Sequence, residues 1–448
     1  MQSDFRSLYR ALQSWCAGIL SVSGNLKLHK RRAAHDKAAK GVVRKEAMKY
    51  DFTSIIDRHN KDSIAVDVIP FPDAPVKEGF DRIPMWVADM NFPTAPTIQQ
   101  RIIERTQHPM FGYFDPTEEY FNSIIRWQEK RNGVTGLTKE AIGYENGVLG
   151  CLCSAIQAFT APGEPIFFHS PTYIGFSFAV KENGRTLATS ALKKDEQGVW
   201  RMDYEDMDRV IRENHIHFAV FCSPHNPCGR VWEREEIEKA MEVFRKNACT
   251  VFSDEIWSDL ILEGNRHIPT QSVSEDARNR VIAAYAPSKT FNLAGLVGSY
   301  HIIYSQYLRD RVVKQSKLSH YNEMNVLSMH ALIGAYEPEG EEWLEELREV
   351  LSGNAKWAVG FIRDHFEGVT VARPQGTYML YLDCHEWLQR NGKTIADLVR
   401  AGIYVGVIWQ DGSPFGQPDT IRMNLALPKA RMEEAFHRLE KYVFCGEQ

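Results

Sequence analysis

Three short segments of this 448-residue chain carry side chains suited to covalent chemistry: Ser288-Lys289, Asp254-Glu255 and Asn226-Pro227-Cys228-Gly229. Lys289 follows the apolar run Val281-Ile282-Ala283-Ala284-Tyr285 and precedes small, turn-tolerant residues. An amine held at the mouth of a sheet and partly stripped of water has a lowered pKa, and can then attack a carbonyl carbon. A lone Ser-Lys pair is ordinarily just a solvated loop. Here the runs Phe218-Ala219-Val220-Phe221 and Thr250-Val251-Phe252 also lead into polar groups, an amide and a carboxylate. Ligands of a parallel sheet bind beyond the carboxyl ends of its strands. An amide, an acid and an amine at successive strand ends therefore describe one site.

The elements that must position these groups can be read from periodicity. From about residue 110, short apolar runs alternate with amphipathic helices, the pattern of a parallel sheet covered on both faces. Asp115-Pro116-Thr117-Glu118 predicts a helix start with Asp115 as cap and Pro116 at the first position; Phe121, Ile124 and Ile125 face inward, and Asn132-Gly133 ends the helix. A second helix is predicted from about Gly147 through Ala158. Ile166-Phe167-Phe168 reads as a buried strand ending at Ser170-Pro171. Between Phe221 and Thr250 a helix from about Glu233 to Lys246 buries Ile237, Ala240, Met241 and Phe244, with acids at its start and Arg245-Lys246 at its end. A charged helical region around Glu339–Val350 leads into a final helix–strand–helix–strand–helix region, a separate small α+β lobe.

Composition sets the outer bounds. Hydrophobic content of 44% with 25% charged residues is that of a globular protein, and a net charge of −5 argues neither for nor against nucleic acid. No apolar run of about 20 residues is present to span a membrane. Eight scattered cysteines suggest a reducing compartment; Cys151 and Cys153 suit one face of a strand, not a Cys-x-x-Cys site, and no metal is expected. Residues 1–47 hold ten Lys and Arg against three acids, with Phe5, Leu8, Leu12, Trp15 and Ile19 at helical spacing. This extension reads as a targeting peptide, a basic arm, or translated sequence ahead of a start at Met48, and the last is favoured.

The ordered set Asn226-Pro-x-Gly, Asp254-Glu255 and Ser288-Lys289-Thr-Phe-x-x-Ala-Gly resembles the fold type I pyridoxal-phosphate enzymes of the class I/II aminotransferase superfamily. Met85-Trp86-Val87-Ala88-Asp89-Met90, Phe111-Gly112-Tyr113, Ser253-Asp254-Glu255-Ile256, His267-Ile268-Pro269 and Asp411-Gly412-Ser413 are similar to one branch, the cystathionine β-lyase-like C–S lyases. The resemblance covers roughly residues 50–440. It implies an α/β fold with a mainly parallel sheet of the seven-stranded type between helices, and a smaller α+β domain. The implied division is 48–95 as an N-terminal segment of the small domain, 96–330 as the cofactor domain and 331–448 as the small C-terminal domain.

The resemblance also implies roles. Lys289 bonds to pyridoxal 5'-phosphate and later removes the substrate Cα proton. Asp254 faces the pyridine nitrogen, Asn226 donates to the ring phenolate oxygen, and Tyr173 stacks on the ring. Gly147, Val148 and Leu149 offer backbone N–H groups to the phosphate, with Ser288 and a Tyr113 reaching over from a second subunit. Arg422 grips the substrate carboxylate. The protein is then a homodimer with shared active sites and an amino-acid substrate, cytoplasmic, with neither nucleic acid nor membrane as partner. Three positions depart from the superfamily pattern: Ala286 replaces a phosphate-binding serine, Val297 a phosphate-binding arginine, and Trp257 a tyrosine or histidine beside the phenolate. The implied reaction is β-elimination from L-cystathionine or related L-cysteine S-conjugates to thiol, pyruvate and ammonia. Transamination of a neutral or aromatic amino acid is the alternative, and a non-catalytic cofactor-binding regulatory module with residues 1–47 as its arm a lesser one.

Overall fold

The apolar runs that end in polar groups are strands of one sheet. In the computed structural model, which describes residues 48–71, 74–318 and 322–445, the strands are β1 (Ile142–Asn146), β2 (Pro165–Ser170), β3 (Thr186–Ala191), β4 (Phe218–Cys222), β5 (Thr250–Asp254), β6 (Val281–Tyr285) and β7 (Gly298–Ile302). They lie side by side in the order β1-β7-β6-β5-β4-β2-β3. Pairings from β6 to β3 are parallel, whereas β7 runs antiparallel to both β6 and β1. Every residue of β4 and of β6 is buried, as expected for strands covered on both faces. Ile282 and Ala284 of β6 join one apolar cluster, while Val281, Ala283 and Tyr285 join the other. This is the α/β architecture of fold type I, with a mainly parallel seven-stranded sheet.

Helices α1 (Glu118–Asn132), α2 (Val148–Phe159), α3 (Arg234–Lys246) and α4 (Pro338–His365) have local reasons for their bounds. For α1 the cap is Thr117, not Asp115: its side-chain oxygen accepts from Tyr120 N at 3.3 Å, so Pro116 stays outside the helix. Its inward stripe is Tyr120, Ser123, Ile124, Trp127 and Gln128, and Phe121 and Ile125 are half-buried. The stripe turned because Trp127 has better partners, stacking on Tyr336 at 4.3 Å and donating to Asp259. Gly133 closes α1 with φ 66°, as predicted. Helix α3 carries a reciprocal capping box between Glu233 and Glu236 and buries all four residues of its predicted stripe.

Cys151 and Cys153 lie on α2, not on a strand. The chain beyond α4 is richer in strands than periodicity suggested. Strands β8 (Thr370–Val371), β9 (Met379–Asp383), β10 (Gln410–Asp411) and β11 (Thr420–Asn424) form an antiparallel sheet in the order β8-β9-β11-β10. Strands of two residues, such as β8 and β10, are too short to show an alternation. The segment Ile83–Pro84 pairs in parallel with Val407–Ile408. The predictions for residues 1–47 lie outside the described residues. Among the described residues no helix is long and apolar enough to cross a membrane.

Candidate active site

The strand ends converge on a cavity of about 350 Å³. Its wall includes Gly147, Val148 and Leu149 after β1, Tyr173 after β2, Asn226 after β4, Asp254 at the end of β5, and Ser288 and Lys289 after β6. Eight of the ten predicted site residues therefore meet here. Larger clefts of about 590 and 410 Å³ lie elsewhere, the first with Arg234, Arg266 and Arg278 on its wall, the second with Lys194 and Arg373. Neither gathers these strand ends.

Lys289 sits on the single turn Pro287–Thr290 and donates from Nζ to the Ala88 carbonyl at 2.9 Å. Burial is the main cause lowering its pKa to about 8; the positive charge of Arg422 acts the same way, and Asp89 and Asp254 oppose it. Asp254 is buried, and loss of solvation raises its carboxyl to about 7 even though Ile256 N donates to Oδ1 at 3.0 Å and Lys289 favours the charged form. An amine and an acid shifted toward one another across a small cavity are typical of a reactive site.

Tyr173 faces the cavity and packs edge-on against Phe176 at 5.3 Å. A Cβ at Gly175 would come within 2.4 Å of the Tyr173 ring, so only glycine leaves that ring in place. Gly147 has φ 81° and caps α2 without a side chain. The first intrahelical bond is Cys151 N to Gly147 O, so the first-turn N–H groups of Val148 and Leu149 have no partner within the helix. That is an anion cradle of backbone origin.

Arg422 on β11 does not line the cavity but lies against it. It is buried, its Nη1 is 3.4 Å from Asn226 Oδ1, its Nη2 donates to Trp86 O at 3.0 Å, and its plane stacks over Phe415. Its Nε has no partner, and no acidic side chain among the described residues pairs with it. Burial lowers its pKa to about 10. Tyr113 is elsewhere: it is fully exposed and forms no part of the cavity wall.

Several wall residues were not predicted. Trp257, a departure from the superfamily pattern, lines the cavity and packs edge-on against Tyr378 at 4.8 Å. Cys222 ends β4 and lines it too, a position the strand-end argument could have supplied. Ala88 arrives from 201 residues upstream of Lys289, with no local signal. Val297 lines the cavity in left-handed backbone with φ 58°, a conformation that costs a β-branched residue about 1–3 kcal/mol.

The family model described as aminotransferase class I and II matches residues 84–439. The chain belongs to that family. Within it, the chain is 32% identical over 364 residues to cystathionine beta-lyase PatB of Bacillus subtilis, covering 80% of this chain and 92% of that one. It is 28% identical over 393 residues to the protein MalY of Escherichia coli, covering 86% and 96%. Cystalysin from Treponema denticola, whose crystal structure contains a pyridoxal 5'-phosphate cofactor, superposes with a TM-score of 0.82 at 28% identity, over 88% of this chain and 99% of that one. The aminotransferase-family fold therefore extends over nearly all the described residues, and the cavity at the strand ends is its candidate centre.

Proposed function

We propose that this family member is a pyridoxal-phosphate-dependent C–S β-lyase that splits L-cystathionine or related L-cysteine S-conjugates. One observation carries the reading: an amine, a buried acid and an amide meet on one cavity wall, and an unanswered buried guanidinium stands directly behind it. The likeness to PatB, named a cystathionine beta-lyase, supports the lyase outcome over transamination.

The residues present fit pyridoxal phosphate. When bound, that cofactor supplies an aldehyde carbon for amines and a conjugated ring that accepts the electron pair left at Cα. Lys289 would hold the cofactor through its nitrogen and, once released by substrate, take the Cα proton. Asp254 would keep a proton on the ring nitrogen; opposite that cation its carboxylate has the partner it otherwise lacks, which brings its pKa back down. Asn226 would donate to the phenolate oxygen, and Tyr173 would fix the ring plane by stacking, worth about 0.5–1.5 kcal/mol beyond burial. Gly147, Val148, Leu149 and Ser288 would hold the phosphate. Arg422 would take the substrate carboxylate as a two-point fork, which also satisfies its Nε.

With Cα deprotonated, the Cβ–S bond breaks with its electron pair going to sulfur. The balance is conjugate plus water to thiol, pyruvate and ammonia. Thiolates leave readily enough to need no dedicated acid.

The finer readings belong to the same proposal. Tyr113, fully exposed beside exposed Met110 and Phe111, would complete the phosphate site of a second copy, making a homodimer. Segments 48–95 and 331–448 would form the small domain around the 96–330 cofactor domain, supported by the Ile83–Pro84 pairing with Val407–Ile408. The seven cysteines among the described residues are all free, which fits a reducing cytoplasm. Residues 1–47 carry no catalytic role, and deleting them should leave turnover intact. The deciding experiment incubates purified protein with cystathionine and no 2-oxoacid. Pyruvate release supports elimination, whereas strict dependence on a 2-oxoacid acceptor means transamination.

A further inference from the structure

The segment Trp86–Asn91 is strapped over the amine of Lys289 from several sides. Arg422 Nη2 donates to Trp86 O, Asn424 Nδ2 to Val87 O at 2.7 Å and to Asp89 O at 2.5 Å, and Tyr378 OH to Ala88 O at 3.0 Å. Asn292, three residues beyond Lys289, holds both the N–H and the carbonyl of Met90. Within this strap the Asp89 carboxylate has one ionic partner among the described residues: Arg58 Nη2 meets Asp89 Oδ2 at 2.5 Å, and Arg58 Nη1 also donates to Asn91 Oδ1 at 2.8 Å. Both side chains are about four-fifths buried, at 17% and 18% exposure, so solvent screens the pair only in part.

We infer that Asp89, tethered by Arg58, is a positioning residue for Lys289: its carboxylate sets how firmly the Lys289 nitrogen holds a proton, and Arg58 sets how much of that charge the nitrogen feels. The inference rests on the reading of Lys289 as the cofactor-bonding amine.

The charges that act on that nitrogen are Asp254 from β5, Arg422 from β11 and Asp89 from the strap, while Tyr173 and Cys222 share its cavity wall and Tyr378 holds the Ala88 carbonyl it donates to. Arg422 favours the neutral nitrogen, while Asp89 and Asp254 favour the protonated one, with Asp89 the stronger of the two. Asp254 would be committed to the ring nitrogen and Arg422 to the substrate carboxylate. Asp89 is the remaining acid, and it is not part of the cavity wall. It acts through space and through the Ala88 carbonyl, one residue away, that receives the Lys289 hydrogen bond. A lysine nitrogen that must be protonated to exchange partners and neutral to take the Cα proton needs its affinity set near working pH.

The test is a visible-absorbance titration of the holoenzyme loaded with pyridoxal phosphate, whose pH midpoint reports the proton on the Lys289 nitrogen. Asp89→Asn should lower the midpoint by about half a unit or more, because a favourable negative charge is lost. Arg58→Gln should raise it, because the same carboxylate is no longer answered. Asp89→Glu keeps the charge and should remain within about 0.2 unit of the parent. Opposite shifts in the first two variants are a signature that structural loosening does not produce. Equal midpoints in all proteins, or shifts of the same sign, overturn the inference. If Asp89→Asn fails to fold, Arg58→Gln decides alone, with an upward shift supporting and an unmoved midpoint overturning. A wild type that binds pyridoxal phosphate without any borohydride-reducible absorbance sinks the Lys289 reading itself, a result distinct from a band that is present but unmoved.

Discussion

Arg422 meets Asn226 across 3.4 Å, so a buried cation from the small antiparallel sheet touches an amide at the end of a strand of the large one. The guanidinium is held by a carbonyl and an aromatic face, with no carboxylate among the described residues to answer it. Removing a charge from such a place relieves a desolvation penalty while deleting an anion site. Arg422→Met should therefore leave thermal stability unchanged or raise it, while kcat/KM for cystathionine falls on the order of a hundredfold or more. Arg422→Lys keeps the charge but not the fork, and most of its loss should appear in KM. Thermal melts and steady-state kinetics on the same preparations check both halves.

Asp254 gives a stability prediction with a definite sign. Its folded pKa of about 7 lies above the 3.8 of a free side chain, so without the cofactor the group favours folding at acid pH. That advantage is lost as pH rises through 7. Cofactor-free Asp254→Asn should thus be more stable than the cofactor-free parent at pH 8, by on the order of 2–4 kcal/mol, and close to it near pH 4. Loaded with pyridoxal phosphate, the order should reverse, because the carboxylate then has its cation. Denaturant melts at two pH values, with and without cofactor, read this directly.

Lys289→Ala should bind pyridoxal phosphate only reversibly, lose the borohydride-reducible band, and release pyruvate at least about a thousandfold more slowly than the parent. Retention of the reducible band would assign the bond to another lysine.

If Tyr113 serves the neighbouring copy, two inactive proteins should repair one another. Mixing Tyr113→Phe and Lys289→Ala chains under exchanging conditions places one intact site in each mixed dimer. Random pairing then restores up to about a quarter of parental turnover. No recovery, with exchange verified by mass, would confine each site to one chain.

The strand ends were legible in the sequence because their signals are local. Five buried residues followed by a turn show themselves without any knowledge of partners, and β6 was predicted at the bounds it has. The groups riding on those ends, Asn226, Asp254 and Lys289, came with them. Ala88 was not legible as a partner of Lys289, because a carbonyl has no signature and 201 residues intervene. Arg58 escaped because its pairing with Asp89, 31 residues away, leaves no local periodic signal. Asp115 was misread as a helix cap because Thr117 competes for the role two residues later, and which oxygen reaches the Tyr120 N–H depends on backbone angles, not composition. Trp257 stood out only as a departure from the family pattern, and its place in the wall is secured by packing against Tyr378, a contact invisible to spacing.

Because β7 runs against its neighbours, Gly298 at its start pairs with Asn146 at the finish of β1. The chain from Tyr285 to Gly298 therefore leaves and rejoins the sheet along one rim, like a handle fixed at both feet. A side chain carried on such a handle has little room to wander once its bond is exchanged. If Lys289 bonds the cofactor as proposed, it stays beside the carbon it serves, and proximity is built into the topology rather than recovered by diffusion at each turnover.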